Sequence, residues 1–232
     1  MSGPVAGRLA SRYQLESRQL AQLQALLETV ARDEHAPTAV REMELAVDVH
    51  LADSLTAIDL DPIRTAKRIA DLGAGAGFPG LALAVAFPTA EVALVESQRR
   101  KCEFLRRAIA QAGIANAQVV CARAEEWSEG VGANEAVVAR ALASQPVVLE
   151  YAAPLLRLGG TLVDWRGARN GEEEQAALRA ADELGLARVE IRRVEPFAAA
   201  RDHHLHLFTK VASTPERYPR RAGVASKRPL GS

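Results

Sequence analysis

Apolar residues follow two different spacings along the chain, and the change between them falls near Arg68. In the segment from Ser11 to Arg32 they recur on one face of a helix, at Leu15, Leu20, Leu23, Leu26, Leu27 and Val30. Residues 40–58 show the same helical spacing. The two segments predict helices whose apolar faces pack against the rest of the protein.

From Arg68 onward, short β-rich runs are separated mostly by helical stretches. The runs are RIADL, EVALVE, AQVVCA, EAVVA, GTLVDW, ARVEIRRV and HHLHLFTKV. Strands and helices in alternation predict a parallel, doubly wound sheet with helices on both faces. Only the short turn EPFAAARD separates the last two runs, which indicates an antiparallel final strand.

The predicted fold is therefore an α/β protein with a mostly parallel, seven-stranded sheet. We expect a helical extension over residues 1–66, the sheet domain over 67–212 and a C-terminal tail over 213–232. Each part has its own pattern: helical spacing, then alternation, then a basic and irregular end.

Composition is that of an ordinary globular protein and excludes several classes. Of 232 residues, 48% are hydrophobic and 25% charged, a balance typical of folded domains. No segment approaches the ~20 apolar residues that span a bilayer, so we expect a cytoplasmic protein without a membrane partner. Cys102 and Cys121 are too few for a disulfide framework or a cysteine zinc site, and we expect both in the core. His203, His204 and His206 lack the carboxylate or cysteine spacing that completes a metal site, so no metal is predicted.

Charge is concentrated at the C-terminal end. The formal net charge of the chain is zero, whereas residues 214–232 carry five basic side chains against Glu216 alone, a net charge of +4. A local basic patch suits a polyanionic partner. It is also typical of a solvated chain terminus, and charge alone leaves both interpretations open.

A glycine-rich loop follows the first predicted strand. In ADLGAGAGFPGLALAVAFP, residues 70–88, Gly73, Gly75 and Gly77 lie at every second position behind Asp71. A loop without Cβ atoms turns tightly and brings its N–H groups against a ligand, at the carboxyl end of a strand, where open parallel sheets bind ligands. No Gly-Lys-Ser/Thr follows, which excludes a P-loop, but a match to G-x-G-x-x-G keeps a dinucleotide site open.

Acidic residues at the strand ends favour S-adenosylmethionine over a dinucleotide. Glu96 ends the second strand and suits a ribose with two free hydroxyls in either class. Asp71 would repel a pyrophosphate, but it could bind the ammonium group of S-adenosylmethionine directly or through water. After the third strand, Ala124 and Glu125 can reach the adenine edge. The predicted cofactor-binding residues are thus Asp71, Gly73, Gly75, Gly77, Glu96, Ala124 and Glu125.

Arg140 ends the fourth strand, before the loop that faces the transferable methyl group. The segment VVARALASQPVVLEYAAPLLRLGG lacks the Asn/Asp-Pro-Pro-aromatic box of enzymes that methylate exocyclic base nitrogens. It also lacks the Pro-Cys nucleophile of cytosine C5 enzymes. Arg140 is either a salt-bridged arginine of the fold or an arginine that shapes the active site.

His50 and Asp53 lie three residues apart on one face of a predicted helix. We expect a structural, hydrogen-bonded pair where the helical extension meets the sheet. A catalytic pair is the alternative.

Four pieces of the sequence together carry a family resemblance. They are HLADSL at 50–55, DLGAGAGFPGLALA at 71–84, ARALA at 139–143 with PLLRLGG at 154–160, and YPRRAGVASKRPL at 218–230. From about residue 40 to residue 230 the chain resembles the bacterial 16S ribosomal RNA guanine-N7 methyltransferase G family, also called the glucose-inhibited division protein B family. The glycine loop alone would not be specific for this family, but the loop and the tail together are.

The resemblance implies a Rossmann-like class I methyltransferase that uses S-adenosylmethionine. It implies that Gly73 and Phe78 contact the cofactor, that Ala124 and Glu125 hold its adenosine part, and that Arg140 lies against the cofactor beside the transferring methyl group. It also makes the tail RNA-facing, through Arg220, Arg221, Lys227 and Arg228.

The acceptor implied by the resemblance is N7 of guanine-527 in 16S rRNA, within the small ribosomal subunit or its precursor. We expect no DNA partner and a monomeric enzyme. No residue is predicted to act as a general base, because guanine N7 carries a free lone pair and no proton. The alternatives are a small-molecule methyltransferase and a noncatalytic RNA-binding assembly factor that keeps a cofactor pocket.

Overall fold

A computed structural model describes residues 4–231 and has a seven-stranded sheet at its centre. The strands are β1 (Arg68–Leu72), β2 (Glu91–Val95), β3 (Ala117–Val120), β4 (Asn134–Arg140), β5 (Leu156–Arg166), β6 (Leu186–Val194) and β7 (His203–Lys210). Their order across the sheet is β3-β2-β1-β4-β5-β7-β6. Only the two pairings made by β7 are antiparallel. The predicted doubly wound sheet with an antiparallel last strand is therefore confirmed.

Helices surround the sheet and precede it along the chain. They are α1 (Pro4–Tyr13), α2 (Ser17–Arg32), α3 (Met43–Ala46), α4 (Asp53–Leu55), α5 (Asp61–Arg64), α6 (Gly80–Ala86), α7 (Arg99–Ala112), α8 (Gln145–Ala152), α9 (Gly171–Leu184) and α10 (Val224–Lys227). A π-helical segment, Val47–Ala52, joins α3 to α4, and two short 3₁₀ turns, Ala124–Glu126 and Ser128–Gly130, follow β3. Within residues 4–231, every helix is too short or too polar to cross a bilayer.

Strand order reverses between β1 and β4, which places a crevice at their carboxyl ends. From β1 the chain moves outward through β2 to β3, and from β4 it moves the other way through β5. The central strands are apolar on both faces because helices cover both, as in β4, where Val137 and Val138 are fully buried. Loops after β1 and β4 are thus held by a rigid core at the edge where such sheets bind ligands.

The N-terminal helices share one core with the sheet. Leu23 and Leu51 from the helical extension belong to the same buried cluster as Ile69 of β1 and Leu81 of α6. The side chain of Gln19 also donates hydrogen bonds to the last carbonyls of α6, at 2.9 and 3.1 Å. The extension is therefore built into the body of the protein, and its predicted boundary at residue 66 does not coincide with a gap in packing.

The C-terminal tail is docked on the protein. Tyr218 and Ala225 are buried, and the Arg220 guanidinium pairs with the carboxylate of Glu150, which is fully buried on α8. The interpretation of the tail as a solvated, frayed terminus is therefore wrong for residues 213–231. Apolar contacts and one buried ion pair fix the path of the tail.

The expectation that both cysteines are buried core residues is wrong. Cys102 of α7 is buried, but Cys121, just after β3, is exposed, and the two form a disulfide with a Cα–Cα distance of 5.8 Å. The pairing arises because β3 runs beside β2 and α7 returns over it, which brings the two positions together. The bond ties α7 to the end of β3.

Candidate functional site

The loop between β1 and α6 depends on glycine at particular positions. Gly73 and Gly77 have φ of 68° and 96°, which disfavour any residue with a Cβ atom. A Cβ at Gly73 would lie 2.5 Å from Leu142 Cδ1, and one at Gly77 would lie 2.4 Å from Leu81 Cδ1. The loop therefore has a conformation that glycine adopts more easily than any residue with a Cβ atom.

A cavity of about 310 Å³ lies beside this loop, at the carboxyl ends of the central strands. We call it the glycine-loop cavity. Its lining includes Gly73, Glu96, Gln98, Lys101, Arg123, Ala124, Glu125, Ala141, Leu142, Tyr151 and Ser226. Four of the predicted cofactor-binding residues thus meet in one place: Gly73, Glu96, Ala124 and Glu125.

Glu96 is fixed at the end of β2 by backbone donors. One carboxylate oxygen accepts a hydrogen bond from the N–H of Gly75 at 3.1 Å, and the other accepts one from Gln98 at 2.8 Å. Each oxygen has a further lone pair. The carboxylate is therefore held in a single orientation from which it can accept hydrogen bonds from ribose hydroxyl groups.

Asp71 does not lie in the cavity as predicted. Its carboxylate is only 1% exposed and accepts a hydrogen bond from the N–H of Gly80 at 2.8 Å, at the start of α6. Burial raises the pKa of the Asp71 carboxyl to about 7. The strand end directs this side chain under the loop, so the role seen here is to hold the loop and α6 together.

Three more of the predicted cofactor-binding residues lie behind the lining of the glycine-loop cavity: Gly75, Gly77 and Phe78. The Phe78 ring is buried and stacks on the imidazole of His50, with centroids 4.8 Å apart and planes within 4°. Phe78 therefore joins the glycine loop to the π-helical segment. Direct contact of Phe78 with the cofactor remains a prediction.

The predicted hydrogen bond between His50 and Asp53 is absent from the described residues. His50 Nε2 lies 3.2 Å from the carbonyl oxygen of Val40, and Asp53 faces Arg140 instead. The π-helical segment ends at Ala52, between the two residues. Both contribute to the site, but separately.

Ala124 and Glu125 bring the C-terminal tail to the cavity. A carboxylate oxygen of Glu125 accepts a hydrogen bond from the N–H of Gly223 at 3.1 Å. Ser226 of α10 lines the same cavity and lies 3.1 Å from the hydroxyl of Tyr151 on α8. Sequence reasoning missed Tyr151 and Ser226, because no local motif marks a residue that reaches the cavity only through tail docking.

Arg140 is at once a salt-bridged residue of the fold and a residue of a cavity wall. Its guanidinium donates to Asp53 Oδ2 at 2.8 Å and to the carbonyl of Val49 at 2.9 Å. His203 Nδ1 lies 3.1 Å from the other oxygen of Asp53, and Trp165 Nε1 donates to the Asp53 carbonyl at 3.0 Å. The structure thus shows the salt-bridged arginine, and a part for Arg140 in shaping the active site stays a prediction.

A second cavity of about 300 Å³ lies next to Arg140, and we call it the Arg140 cavity. Its lining includes Asp53, Arg140, Ala141, Gln145, Trp165, Arg166, Asn170, Glu173, His203 and His206. Ala141, with φ of 52°, lines both cavities. The two cavities are thus neighbours on either side of the turn that follows β4.

Three of the predicted RNA-facing residues are exposed: Arg221, Lys227 and Arg228. Arg220 differs, because its guanidinium is held by Glu150 and also donates to the carbonyl of Arg228 at 2.8 Å. We therefore assign Arg220 to anchoring the tail. The others leave their charges at the surface beside the glycine-loop cavity.

The residues around the glycine-loop cavity fit S-adenosylmethionine. Gly73 brings backbone with a positive φ to its lining, and the Glu96 carboxylate is held at the end of β2 where a ribose binds in this class of sheet. Fold and site together define a class I methyltransferase, and S-adenosylmethionine is its cofactor.

Sequence comparison identifies the family within this class. A family model described as rRNA small subunit methyltransferase G matches residues 16–202. The enzyme of that name from Rubrobacter xylanophilus is 38% identical over 196 residues, which cover 82% of this chain and 75% of that protein. The one from Chloroflexus aggregans is 37% identical over 223 residues, covering 93% and 92%. The chain belongs to the rRNA small subunit methyltransferase G family.

Solved structures support the fold. A predicted O-methyltransferase from Agrobacterium tumefaciens is 25% identical, with a TM-score of 0.53 over 70% of this chain and 80% of that one. Fibrillarin of Aeropyrum pernix, solved with natively bound S-adenosyl-L-methionine, is 18% identical, with a TM-score of 0.53 over 68% and 74%. The predicted class I methyltransferase fold is confirmed.

Proposed function

We propose that the protein transfers a methyl group from S-adenosylmethionine to N7 of guanine-527 in 16S rRNA. One observation carries the proposal beyond the family: Ala141 lines both the glycine-loop cavity and the Arg140 cavity. A cofactor in the first and a base in the second would meet at the turn after β4. Two adjoining sites of this kind are what a direct transfer between two bound molecules requires.

The glycine-loop cavity would hold the cofactor through backbone and one carboxylate. Glu96 is positioned to accept hydrogen bonds from the ribose hydroxyl groups. The segment at Ala124 and Glu125 is positioned to contact the adenine edge. S-adenosylmethionine supplies a sulfonium methyl group to the acceptor. The buried side chains under the loop, Asp71 and Phe78, keep this cradle in one conformation.

The acceptor needs orientation rather than a general base. Guanine N7 offers a lone pair in the plane of the ring and loses no proton on methylation, so alignment of the reacting atoms is the main contribution expected of the protein. Arg140 is suited to this task because Asp53 and the Val49 carbonyl fix its guanidinium at the wall of the Arg140 cavity. A planar, preorganised donor group of this kind can hold a base or a phosphate.

The substrate is proposed to be rRNA within the small subunit or its precursor. Arg221, Lys227 and Arg228 are exposed near the glycine-loop cavity and are proposed to bind RNA phosphates. We infer a monomeric enzyme that works in the cytoplasm, where small subunits are assembled, with no DNA or membrane partner.

Incorporation of labelled methyl groups tests this proposal. Small subunits from cells that lack the enzyme are incubated with the purified protein and labelled S-adenosylmethionine, and the modified nucleotide is then mapped. The expected result is a single N7-methylguanine at position 527. Label at another base, or transfer only to small molecules, would overturn it. Binding to subunits without any transfer would favour an assembly factor.

A further inference from the structure

His203 of β7 and Arg140 of β4 lie on either side of one carboxylate at the wall of the Arg140 cavity. Asp53 accepts a hydrogen bond from Arg140 with Oδ2, at 2.8 Å, and its Oδ1 atom lies 3.1 Å from Nδ1 of His203. All three residues line the cavity. The proposed function assigns a role to Arg140 and none to His203.

The register of the sheet places His203 on the same face as Arg140. Arg140 is the partner of Trp165 on β5, and Trp165 is the partner of Leu205 on β7, so these three side chains share one face. His203 lies two positions before Leu205 and has the same orientation. Because β5 separates β4 from β7, the two strands are roughly 10 Å apart. A planar base that lies against Arg140 can therefore extend across β5 towards His203.

The contact with Asp53 decides what His203 offers to a ligand. A carboxylate only accepts hydrogen bonds, so the hydrogen of the neutral ring is on Nδ1 and Nε2 carries a lone pair. Within residues 4–231 Nε2 has no hydrogen-bond partner, yet it is not enclosed by protein, and the side chain is 32% exposed. The ring of Phe197 packs edge-on against the imidazole, with centroids 5.8 Å apart. His203 is therefore a positioned acceptor that is accessible at the cavity wall.

We propose that Nε2 of His203 accepts a hydrogen bond from the 2-amino group of the target guanine and so helps the enzyme to select guanine. The inference rests on the proposed function, in which the cofactor lies beyond Ala141 and N7 of the base is turned towards β4. The 2-amino group is on the edge of guanine opposite to N7, and that edge then faces β7. Adenine has no donor at this edge, so it would leave the His203 lone pair without a partner.

Deletion of the 2-amino group and deletion of the acceptor should have linked effects. Small subunits are reconstituted with guanine or hypoxanthine at position 527, since hypoxanthine keeps N7, O6 and N1–H and lacks only the 2-amino group. Single-turnover transfer is measured at about pH 8.5, where histidine side chains are ordinarily neutral. A calorimetric titration with S-adenosylmethionine checks that each variant is folded.

Three variants of His203 separate recognition of the base from support of Asp53. His203→Leu removes both functions. His203→Asn keeps a donor near the position of Nδ1 but has no acceptor at the position of Nε2, whereas His203→Gln places an amide there. His204→Leu is the matched control, because His204 is on the same strand, has the opposite orientation and does not line the cavity.

The guanine to hypoxanthine rate ratio should be at least about 5-fold higher in the wild type than in His203→Leu or His203→Asn. His203→Gln should recover part of the ratio, and His204→Leu should keep all of it. Loss of the contact with Asp53 slows transfer to both bases, and intrinsic N7 reactivity is the same for every variant, so neither changes this comparison. An equal ratio in the wild type and His203→Leu would overturn the assignment. A wild-type ratio in His203→Asn would also overturn it, because that variant retains only the contact with Asp53. If the wild type fails to methylate guanine-527 at all, the proposed function fails as well.

Discussion

Asp53 binds Arg140 with one carboxylate oxygen, at 2.8 Å, and faces His203 with the other, at 3.1 Å. The contact joins the helical extension to the end of β4 across 87 positions of sequence. It gives the extension a role in the site, because the orientation of Arg140 at the cavity wall depends on it.

Asp53→Asn should therefore slow methyl transfer more than it weakens cofactor binding. The amide keeps the size of the side chain but loses the charge that fixes the guanidinium, so we expect a roughly 10- to 100-fold slower single-turnover rate. The dissociation constant for S-adenosylmethionine should change by less than about 3-fold. Arg140→Ala should give the same pattern. A variant whose cofactor affinity falls as much as its rate would show that the pair supports the cofactor site instead.

Gly73→Ala should weaken cofactor binding at least about 10-fold, since it combines an unfavourable positive φ with a contact against Leu142 in the cavity wall. Calorimetric titration measures the effect. Gly132→Ala is the matched control, because Gly132 also has a positive φ, 61°, but open space around it. Both variants should lose a modest amount of stability, but only Gly73→Ala should bind S-adenosylmethionine more weakly. Equal affinities would mean that the glycine loop does not form the cofactor cradle.

The exposed basic side chains of the C-terminal tail should contribute to the salt dependence of RNA binding. Replacing Arg221, Lys227 and Arg228 by glutamine should flatten the log–log salt dependence of RNA binding by about 2–3 units if each neutralises one phosphate. A control triple, Arg64, Arg68 and Arg157 to glutamine, removes the same charge near the amino ends of the strands, away from the cavities. Equal slopes for the two triples would count against RNA contacts by the tail. Point variants are needed because truncation would also remove Ser226 from the cofactor cavity.

Asp71→Asn should change the pH dependence of stability. The folded-state pKa of Asp71 is raised to about 7 by burial, so the folded protein holds a proton that the unfolded chain releases near its ordinary value. The resulting stabilisation is complete below about pH 4 and is lost as pH rises towards 7. Asparagine stays neutral throughout.

The free energy of unfolding of Asp71→Asn, relative to the wild type, should thus increase between pH 5 and pH 8, by at least about 1 kcal/mol. Urea denaturation at the two pH values measures it. Asp59→Asn, at an exposed aspartate, should show no such change. A constant difference between Asp71→Asn and the wild type would mean that Asp71 is ionised in the folded protein across this range.

Sequence alone predicted the sheet and the position of the glycine loop, because both depend on residues that are close together in the chain. Parallel strands buried on both faces appear as continuous apolar runs, as in β2 and β4, and the glycines of the first loop follow β1 directly. The end of β2 likewise placed Glu96 at the cavity. These features depend on neighbours in the chain.

The remaining features depend on contacts between distant segments. Arg140 was recognised from its position at a strand end, but its partner Asp53 was not, since spacing cannot show which helix packs over that end. Asp71 was placed in the cavity because a strand end does not reveal which side of the loop its carboxylate takes. Arg220 was predicted to face RNA although burial of Glu150 draws it inward.

Replacement of a single atom in the substrate tests the central claim most directly. Small subunits reconstituted with 7-deazaguanine at position 527 retain the shape and the O6 atom of guanine but have no N7 lone pair. The account predicts that they bind the enzyme like unmodified subunits and accept no methyl group. Methyl incorporation at that nucleotide would contradict transfer to N7.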